Sequence, residues 1–152
     1  MVPFGGDAAD DGLHQRGPPV PARLSTEHPR WAPDARALLF VTGTTRIYLL
    51  EVPSGRVRFL THGHDPEWSP DGRLVAFIHP GPEWQLGLIQ ADGSGRTLLA
   101  RIPLGLRGGL TWDPRGHALY VVDRAGQTLV VDVRDGKVRS AGIPLPVELL
   151  VC

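Results

Sequence analysis

A short motif occurs three times in this chain of 152 residues and constrains its fold more than any other feature. The middle copy, residues 65–78, reads Asp-Pro-Glu-Trp-Ser-Pro-Asp-Gly-Arg-Leu-Val-Ala-Phe-Ile, and weaker copies begin at His28 and Leu110. Their tryptophans are 37 and 44 residues apart, and each is followed two positions later by a proline. A glycine in a later turn lies 24 or 25 residues after each tryptophan. Agreement at this second landmark indicates three repeats of one structural unit.

Apolar runs bounded by glycine and proline fill each unit. In the middle unit, residues 74–78 and 84–90 are two such runs, and residues 96–99 form an outer amphipathic segment after the turn at 92–95. With the short segment at the tryptophan, each unit predicts about four strands, and no stretch has a helical period over ten residues. A period near forty with four strands is typical of β-propeller blades. We predict an all-β fold of about three four-stranded antiparallel blades, forming a partial or half propeller.

The repeats also predict the domain organisation. We place them at about residues 28–64, 65–108 and 109–142, inside a folded region of residues 23–152. Residues 1–22 contain many glycines, prolines and aspartates and few apolar side chains, so they are expected to form a disordered leader. The apolar segment 143–152 is expected to form an extra strand, which would begin a fourth blade or pair with another chain.

The turn after each tryptophan has a physical explanation. Proline ends a short inner strand because it has no backbone N–H to donate, and Asp71-Gly72 is a strong hairpin signal because glycine accepts positive φ. The tryptophans are expected to fill equivalent positions between blades, since large aromatic side chains dominate core energetics. The repeat residues to which we assign a structural role are Trp31, Pro33, Trp68, Pro70, Asp71, Gly72, Trp112 and Pro114.

The pattern Pro-x-Trp-Ser-Pro-Asp-Gly-Arg-x-x-Ala-Phe, complete in residues 66–77, resembles the repeat of TolB-like and WD-repeat-like propellers. A similar repeat occurs in the propeller domains of prolyl-oligopeptidase-type peptidases and in the tricorn protease. The resemblance covers residues 28–140, with Ala35 in place of glycine in the first copy and Arg115 in place of aspartate in the third. It implies a propeller. The resemblance to the peptidases also implies a catalytic triad on a separate α/β-hydrolase domain. Nothing in this sequence corresponds to that domain.

Two stretches contain residue types that can support metal binding or catalysis. Residues 61–65, Thr-His-Gly-His-Asp, combine imidazole and carboxylate groups that suit zinc, which makes His62, His64 and Asp65 the metal candidates. The motif lacks the further ligands that metallo-hydrolases supply from elsewhere, so we predict no metal and no cofactor. Gly93-Ser94-Gly95 lacks the spacing of a Gly-x-Ser-x-Gly nucleophile elbow, and we predict no catalytic residue.

Charge and targeting signals narrow the choice of partners and compartment. Sixteen basic residues balance sixteen acidic ones without a basic stripe, so no nucleic-acid partner is predicted. The sequence has no export signal and no apolar run long enough for a membrane span, so the predicted location is cytoplasmic. Its one cysteine, Cys152, allows no disulfide within the chain.

Three blades are fewer than the four to eight of a typical closed propeller and would leave two blade faces uncovered. The chain is therefore expected either to belong to a longer reading frame or to form a homodimer that completes a six-bladed ring. Our functional prediction is a non-enzymatic binding or scaffold module whose loops or channel rim contact a protein or peptide. The alternative is the propeller part of a prolyl-oligopeptidase-like serine peptidase without its hydrolase domain. A third hypothesis, a propeller hydrolase or lactonase with a channel metal, predicts stoichiometric bound metal.

Overall fold

The computed structural model describes residues 26–43, 45–79, 81, 84–102, 106–107 and 110–141. The predicted leader and the predicted C-terminal strand lie outside these residues. No helix found in them is long and apolar enough to cross a membrane.

The described strands form three four-stranded antiparallel sheets, each a simple meander. Blade 1 consists of β1 (Thr26–Trp31), β2 (Ala37–Thr42), β3 (Arg46–Glu51) and β4 (Arg56–His62). Blade 2 consists of β5 (His64–Trp68), β6 (Leu74–His79), β7 (Trp84–Gln90) and β8 (Thr97–Ile102). Blade 3 consists of β9 (Thr111–Trp112), β10 (Ala118–Val122), β11 (Thr128–Asp132) and β12 (Val138–Ser140). The prediction of an all-β fold built from four-stranded blades is confirmed.

Side chains alternate between the two faces of each blade, which follows from the period of two along a strand. We call the face toward the preceding blade the front face and the opposite face the back face. A hydrophobic cluster that includes Leu39 and Leu49 on the back of blade 1 and Phe77 on the front of blade 2 joins those blades. A second cluster, which includes Ile78 and Leu119, joins blade 2 to blade 3. Both faces of the middle strands of blade 2 are therefore buried, as its continuous apolar runs predicted.

The turn after each repeated tryptophan has the same backbone conformation in all three blades. Ala35, Gly72 and Gly116 occupy equivalent positions with φ of 62°, 75° and 78°. The amide of each donates to a carbonyl three residues earlier, for example Gly72 N–H to Ser69 O at 2.9 Å. Two of the three copies have glycine where the left-handed conformation favours it, and the first copy places an alanine there.

The three tryptophans differ in exposure. Trp112 is 9% exposed and Trp68 is partly buried, whereas Trp31 in blade 1 is 58% exposed. The indole N–H of Trp68 donates to the Arg30 carbonyl at 3.0 Å, and that of Trp112 donates to the Glu67 carbonyl at 3.1 Å. Each of these tryptophans therefore contacts the first strand of the blade before it.

Candidate functional site

The connector between blades 1 and 2 brings a group of polar and aromatic side chains to one edge of the stack. His64 Nδ1 lies 3.0 Å from Asp65 Oδ2, and the His64 ring meets the edge of the Trp84 ring with centroids 6.0 Å apart. The guanidinium of Arg124, from the β10–β11 turn of blade 3, lies 5.2 Å from the centroid of Trp84. We call His64, Asp65, Trp84 and Arg124 the rim cluster. It joins side chains from blades 2 and 3 at one surface.

Backbone geometry at the connector explains why His64 and Asp65 lie here. Gly63 donates its amide to Thr45 O at 2.8 Å, and a Cβ on Gly63 would lie 2.6 Å from Phe77 Cδ2. Only glycine allows this close approach of the connector to blade 2. Asp65 has a φ of 52°, and the pairing of β5 with β6 shifts register between His64 and Glu67. Such a bulge redirects side chains at a strand end.

The structure separates the three metal candidates predicted from sequence. His64 and Asp65 lie together, but the His62 ring packs edge-on against Phe59 with centroids 5.1 Å apart. Among the described residues, no group of three or more His, Cys, Asp or Glu side chains is arranged to hold a metal ion. Zinc sites use three or four protein ligands, so the His64–Asp65 pair alone does not form one.

The rim cluster combines groups suited to contacts with a peptide. Trp84 is partly buried and Arg124 is exposed. Tryptophan and arginine are enriched at the energetically dominant positions of protein interfaces, where a ring offers apolar area and a guanidinium can hold a carboxylate with two hydrogen bonds. The Arg124–Trp84 contact is a cation–π interaction, which orients the two groups relative to each other.

A second polar group lies between the outer parts of blades 1 and 2. Arg96 Nη2 lies 2.8 Å from His79 Nδ1, and Arg96 Nε donates to Thr61 Oγ1 at 2.9 Å. The Arg96 guanidinium also lies 5.3 Å from the centroid of the Phe77 ring. Partial burial, assisted by the charge of Arg96, holds the pKa of His79 below its ordinary value of 6.5. A neutral His79 can accept the Arg96 hydrogen bond. The bond from Arg96 to Thr61 of β4 links blade 2 to blade 1.

A cavity of about 260 Å³ lies between blades 1 and 2, at the end where the tryptophan turns lie. Its lining carries both signs of charge, with Asp34, Arg36, Glu51, Arg58 and Asp71 around the ring of Trp68. Arg58 is the most deeply placed of these cations, with a side chain 14% exposed. Burial lowers the pKa of Arg58, and the neighbouring Glu51 carboxylate opposes that effect.

Arg58 crosses from one blade to the next. Its Nη2 donates to Ala91 O of blade 2 at 2.5 Å, and its Nε lies 3.8 Å from Glu51 Oε2. Its Nη1 is buried with no hydrogen-bond partner among the described residues. Nothing in the sequence indicates this role, because Arg58 occupies a polar position of an outer strand in which polar and apolar residues alternate.

The turn serines bind carboxylates of their own turns. Ser69 Oγ donates to Asp71 Oδ1 at 2.7 Å, and Ser94 Oγ donates to Asp92 Oδ1 at 2.6 Å. The Arg73 N–H, and after it the Ser69 hydroxyl, hold the pKa of Asp71 below its ordinary value of 3.8. These pairs stabilise the backbone of each turn, which is the common role of Asp and Ser at such positions.

Comparison with known proteins relates the chain to propellers. No family model matches it. It is 30% identical over 144 residues to the uncharacterized peptidase YuxL of Bacillus subtilis (strain 168); the match covers 85% of this chain and 22% of that protein. Among solved structures, TolB from Acinetobacter baumannii has a TM-score of 0.65 at 22% identity and is matched over 82% of this chain and 34% of TolB. The fold is that of a TolB-like β-propeller.

Peptidases recur among the structural relatives. The acylaminoacyl peptidase of Pyrococcus horikoshii has a TM-score of 0.63 at 14% identity, over 79% of this chain and 26% of that enzyme. At these identities the solved structures establish the fold alone. The chain spans about a fifth of the length of the curated peptidase that it matches.

Proposed function

We propose that this chain supplies non-catalytic blades to the propeller of a prolyl-oligopeptidase-type peptidase and that its rim cluster contacts peptide. The observation that carries the proposal is the 30% identity to a peptidase over 85% of this chain, on a segment that makes up only 22% of that peptidase. In the peptidases that the repeat resembles, catalysis belongs to a separate α/β-hydrolase domain. The blades would then serve to admit and orient peptides.

The rim cluster supports a peptide ligand. Trp84 offers ring surface to an apolar side chain, and Arg124 offers a guanidinium to a carboxylate. His64 and Asp65 add an imidazole and a carboxylate 3.0 Å apart. The carboxylate can accept a hydrogen bond from a backbone N–H of a peptide, and an imidazole N–H can donate one to a backbone carbonyl. The four groups come from β5, β7 and the β10–β11 turn, so the arrangement requires two blades.

Catalysis by this chain is tested first. The purified chain is incubated with a fluorophosphonate probe, and with chromogenic acyl-amino-acid and prolyl peptide substrates. We expect no covalent labelling and no turnover, because Ser69 and Ser94 are bonded to turn carboxylates. Stoichiometric labelling of either serine would disprove the non-catalytic role.

Peptide binding is tested by intrinsic fluorescence and by calorimetry with a library of short peptides that end in a free carboxylate. Trp84→Ala and Arg124→Ala are each expected to weaken binding at least about tenfold, which corresponds to about 1.4 kcal/mol. Arg73→Ala, an exposed arginine in the turn at the other end of blade 2, is the matched control and should bind like the parent. Equal affinity in all four proteins would place the peptide site elsewhere.

A second candidate is a free-standing binding module that uses the rim cluster without a hydrolase domain. The complete reading frame that contains this chain distinguishes the two. A strand–turn–helix segment with Gly-x-Ser-x-Gly encoded in the same frame supports the peptidase. A frame that ends without an α/β-hydrolase region supports the free-standing module, whose ligand would then be a protein captured at the rim cluster.

A further inference from the structure

The cavity of about 260 Å³ between blades 1 and 2 is flanked by two contacts that join these blades. On one side the turn of blade 2 approaches blade 1, and a Cβ on Gly72 would lie 3.6 Å from Cδ of Pro33. On the other side Arg58 Nη2 donates to Ala91 O at 2.5 Å. These four residues line the cavity, and its other lining residues also belong to blades 1 and 2. The site therefore needs no blade beyond the described part of the chain.

Part of the cavity lining is apolar. Leu49 is buried in the hydrophobic cluster between the two blades, and Ala37 and Trp68 pack against that cluster. The indole N–H of Trp68 is already bonded to the Arg30 carbonyl, so Trp68 offers the cavity its ring and no donor. A lining that combines apolar surface with a few polar groups is typical of sites for small molecules.

Arg58 has a hydrogen-bond donor that the fold leaves unused. Its Nη2 is bonded to Ala91 O, and its Nε lies 3.8 Å from Glu51 Oε2, which is too long for a hydrogen bond. Its Nη1 is buried without a hydrogen-bond partner among the described residues. Most buried polar atoms in native proteins have a partner. A carboxylate suits this place, because a guanidinium can bind one through two N–H groups.

The junction between blades 2 and 3 shows that blade packing does not require these charges. The strand register places Thr97 where blade 1 has Arg58, and Gln90 where blade 1 has Glu51. Blade 3 nevertheless packs on blade 2, with the indole N–H of Trp112 bonded to a carbonyl of the blade before it. The charge of Arg58 is therefore not a general requirement for joining two blades of this chain.

Two turn carboxylates line the same cavity. Asp34 and Asp71 hold equivalent positions in blades 1 and 2, and the Oδ1 of each accepts the backbone N–H two residues later. Both residues are exposed, so a ligand can reach them from solvent. Arg115 holds this position in blade 3, so two acids face one junction only between blades 1 and 2 in the described part of the chain. These carboxylates favour a cationic group on the ligand.

We propose that the cavity binds a small zwitterion of about the size of a dipeptide. Its carboxylate binds Arg58, whose guanidinium turns about the bond to Ala91 O so that Nη1 gains a partner. Its ammonium group lies near Asp34 and Asp71, and its apolar side chains contact the ring of Trp68. The volume of about 260 Å³ is slightly below the range of pockets for drug-sized ligands, which fits a molecule of two small residues.

A titration of the isotopically labelled chain with alanyl-alanine, followed by NMR, tests the proposal. The Nε–H of Arg58 and the amides of Leu49 and Ala91 should shift and saturate below about 10 mM dipeptide, with a dissociation constant of about 1 mM or lower. N-acetylation of the dipeptide removes its ammonium group, and C-terminal amidation removes its carboxylate. Each change should raise the dissociation constant at least about tenfold.

Substitutions in the lining test both ends of the ligand. Arg58→Gln and Asp34→Asn should each raise the dissociation constant for alanyl-alanine at least about tenfold. Arg58→Gln also loses the bond to Ala91, so circular dichroism and the urea midpoint show whether it keeps the fold. Asp34→Asn keeps the side-chain oxygen that accepts the Arg36 N–H, so its turn should stay intact and its effect on binding can be interpreted in either case.

Two controls separate this site from its surroundings. Arg73→Ala changes an exposed arginine of the neighbouring turn that does not line the cavity, and it should bind like the parent. Trp84→Ala alters the rim cluster at the other end of blade 2 and should also bind like the parent, so the result is independent of the proposed function.

Three results would overturn the proposal. The first is the absence of saturable shifts at Leu49, Arg58 and Ala91. The second is equal affinity for alanyl-alanine and its two blocked forms, which would show that the charged ends are not recognised. The third is unchanged affinity in both Arg58→Gln and Asp34→Asn, which would place the binding site elsewhere.

Discussion

The indole Nε1 of Trp112 donates a hydrogen bond to the carbonyl oxygen of Glu67 at 3.1 Å, and Glu67 directly precedes Trp68. Trp68 in turn donates to the carbonyl of Arg30, which directly precedes Trp31. In blades 2 and 3 the repeated tryptophan therefore packs its ring between blades and binds the first strand of the preceding blade with its N–H. Phenylalanine could fill the same space but has no donor.

Replacing Trp112 should separate these two contributions. We expect Trp112→Phe to lower the free energy of unfolding by about 1–2 kcal/mol, because it removes one buried hydrogen bond and some ring area. Trp112→Ala should cost about 3–5 kcal/mol, the usual loss for a large buried aromatic side chain. Urea denaturation followed by circular dichroism measures both.

Trp31 is the matched control for this series, because it has the same motif position but is 58% exposed and has no described blade before it. Trp31→Phe should change the unfolding free energy by less than about 0.5 kcal/mol at concentrations where the chain is monomeric. Equal losses at Trp31 and Trp112 would show that the tryptophan acts within its own blade and not between blades.

The repeat predicted the strands closely because it combined turn chemistry with period-two apolar runs. The run at residues 74–78 is found as β6, Leu74–His79, and the run at 84–90 as β7, Trp84–Gln90. The contacts between blades could not be predicted in the same way. Arg58 and Arg96 occupy polar positions of outer segments, and the sequence does not indicate that each reaches a neighbouring blade.

The candidate site was predicted only in part. His62 and His64 share a motif, but Gly63 and the register shift in β5 separate them, and this depends on how closely the connector approaches Phe77. Trp84 and Arg124 are 40 residues apart, and only the packing of blade 3 on blade 2 brings them together. The exposure of Trp31 could not be predicted either, because the three tryptophans lie in similar sequence motifs and differ in the blades that pack against them.

Ala35 should be less favourable than glycine at its position. A φ of 62° destabilises a residue with a Cβ by about 1 kcal/mol or more. Glycine removes this cost in the folded state but makes the unfolded chain more flexible, which cancels part of the stabilisation. We expect Ala35→Gly to raise the unfolding free energy by up to about 1 kcal/mol, measured by thermal and urea denaturation. Gly72→Ala, at the equivalent turn of blade 2, is the reciprocal change and should lower it. Stabilisation by Gly72→Ala would contradict the argument.

Asp71 should make stability depend on pH in a defined direction. Its pKa is lowered in the folded chain by the Arg73 N–H and the Ser69 hydroxyl, so its ionised form stabilises the fold above the unfolded value of about 3.8. That contribution is lost as pH falls through the lower folded pKa. Asp71→Asn should therefore have a lower free energy of unfolding than the parent at neutral pH. This difference should shrink and disappear as the pH falls below about 4.

Ser69→Ala removes one of the two hydrogen-bond donors to Asp71. In that background, Asp71→Asn should lower the unfolding free energy at neutral pH by less than it does in the parent. Urea titrations at a series of pH values measure the four proteins. A gap between parent and Asp71→Asn that stays constant from neutral pH to pH 3 would mean that the carboxylate charge does not contribute.

Gly87 should tolerate no side chain while Phe77 is present. The two residues face each other in β6 and β7, and a Cβ on Gly87 would lie 2.3 Å from Cζ of the Phe77 ring. The equivalent pair in blade 1 is Phe40 and Tyr48, whose rings stack side by side, so the repeat alone does not reveal this requirement. We expect Gly87→Ala to lower the unfolding free energy by about 1–3 kcal/mol, since fully buried Phe77 has no space into which to move.

A double-mutant cycle distinguishes this clash from a general intolerance of β7 to substitution. Phe77→Leu removes the ring atoms nearest to Gly87 and should itself cost about 1–2 kcal/mol through lost burial. In that background Gly87→Ala should cost much less than in the parent, giving a favourable coupling of about 1 kcal/mol or more. Additive losses would show that the ring of Phe77 is not what excludes a methyl group at position 87. In that case the irregular backbone of β7, where the pairing with β8 shifts register between Leu86 and Gly87, would be what excludes the methyl group.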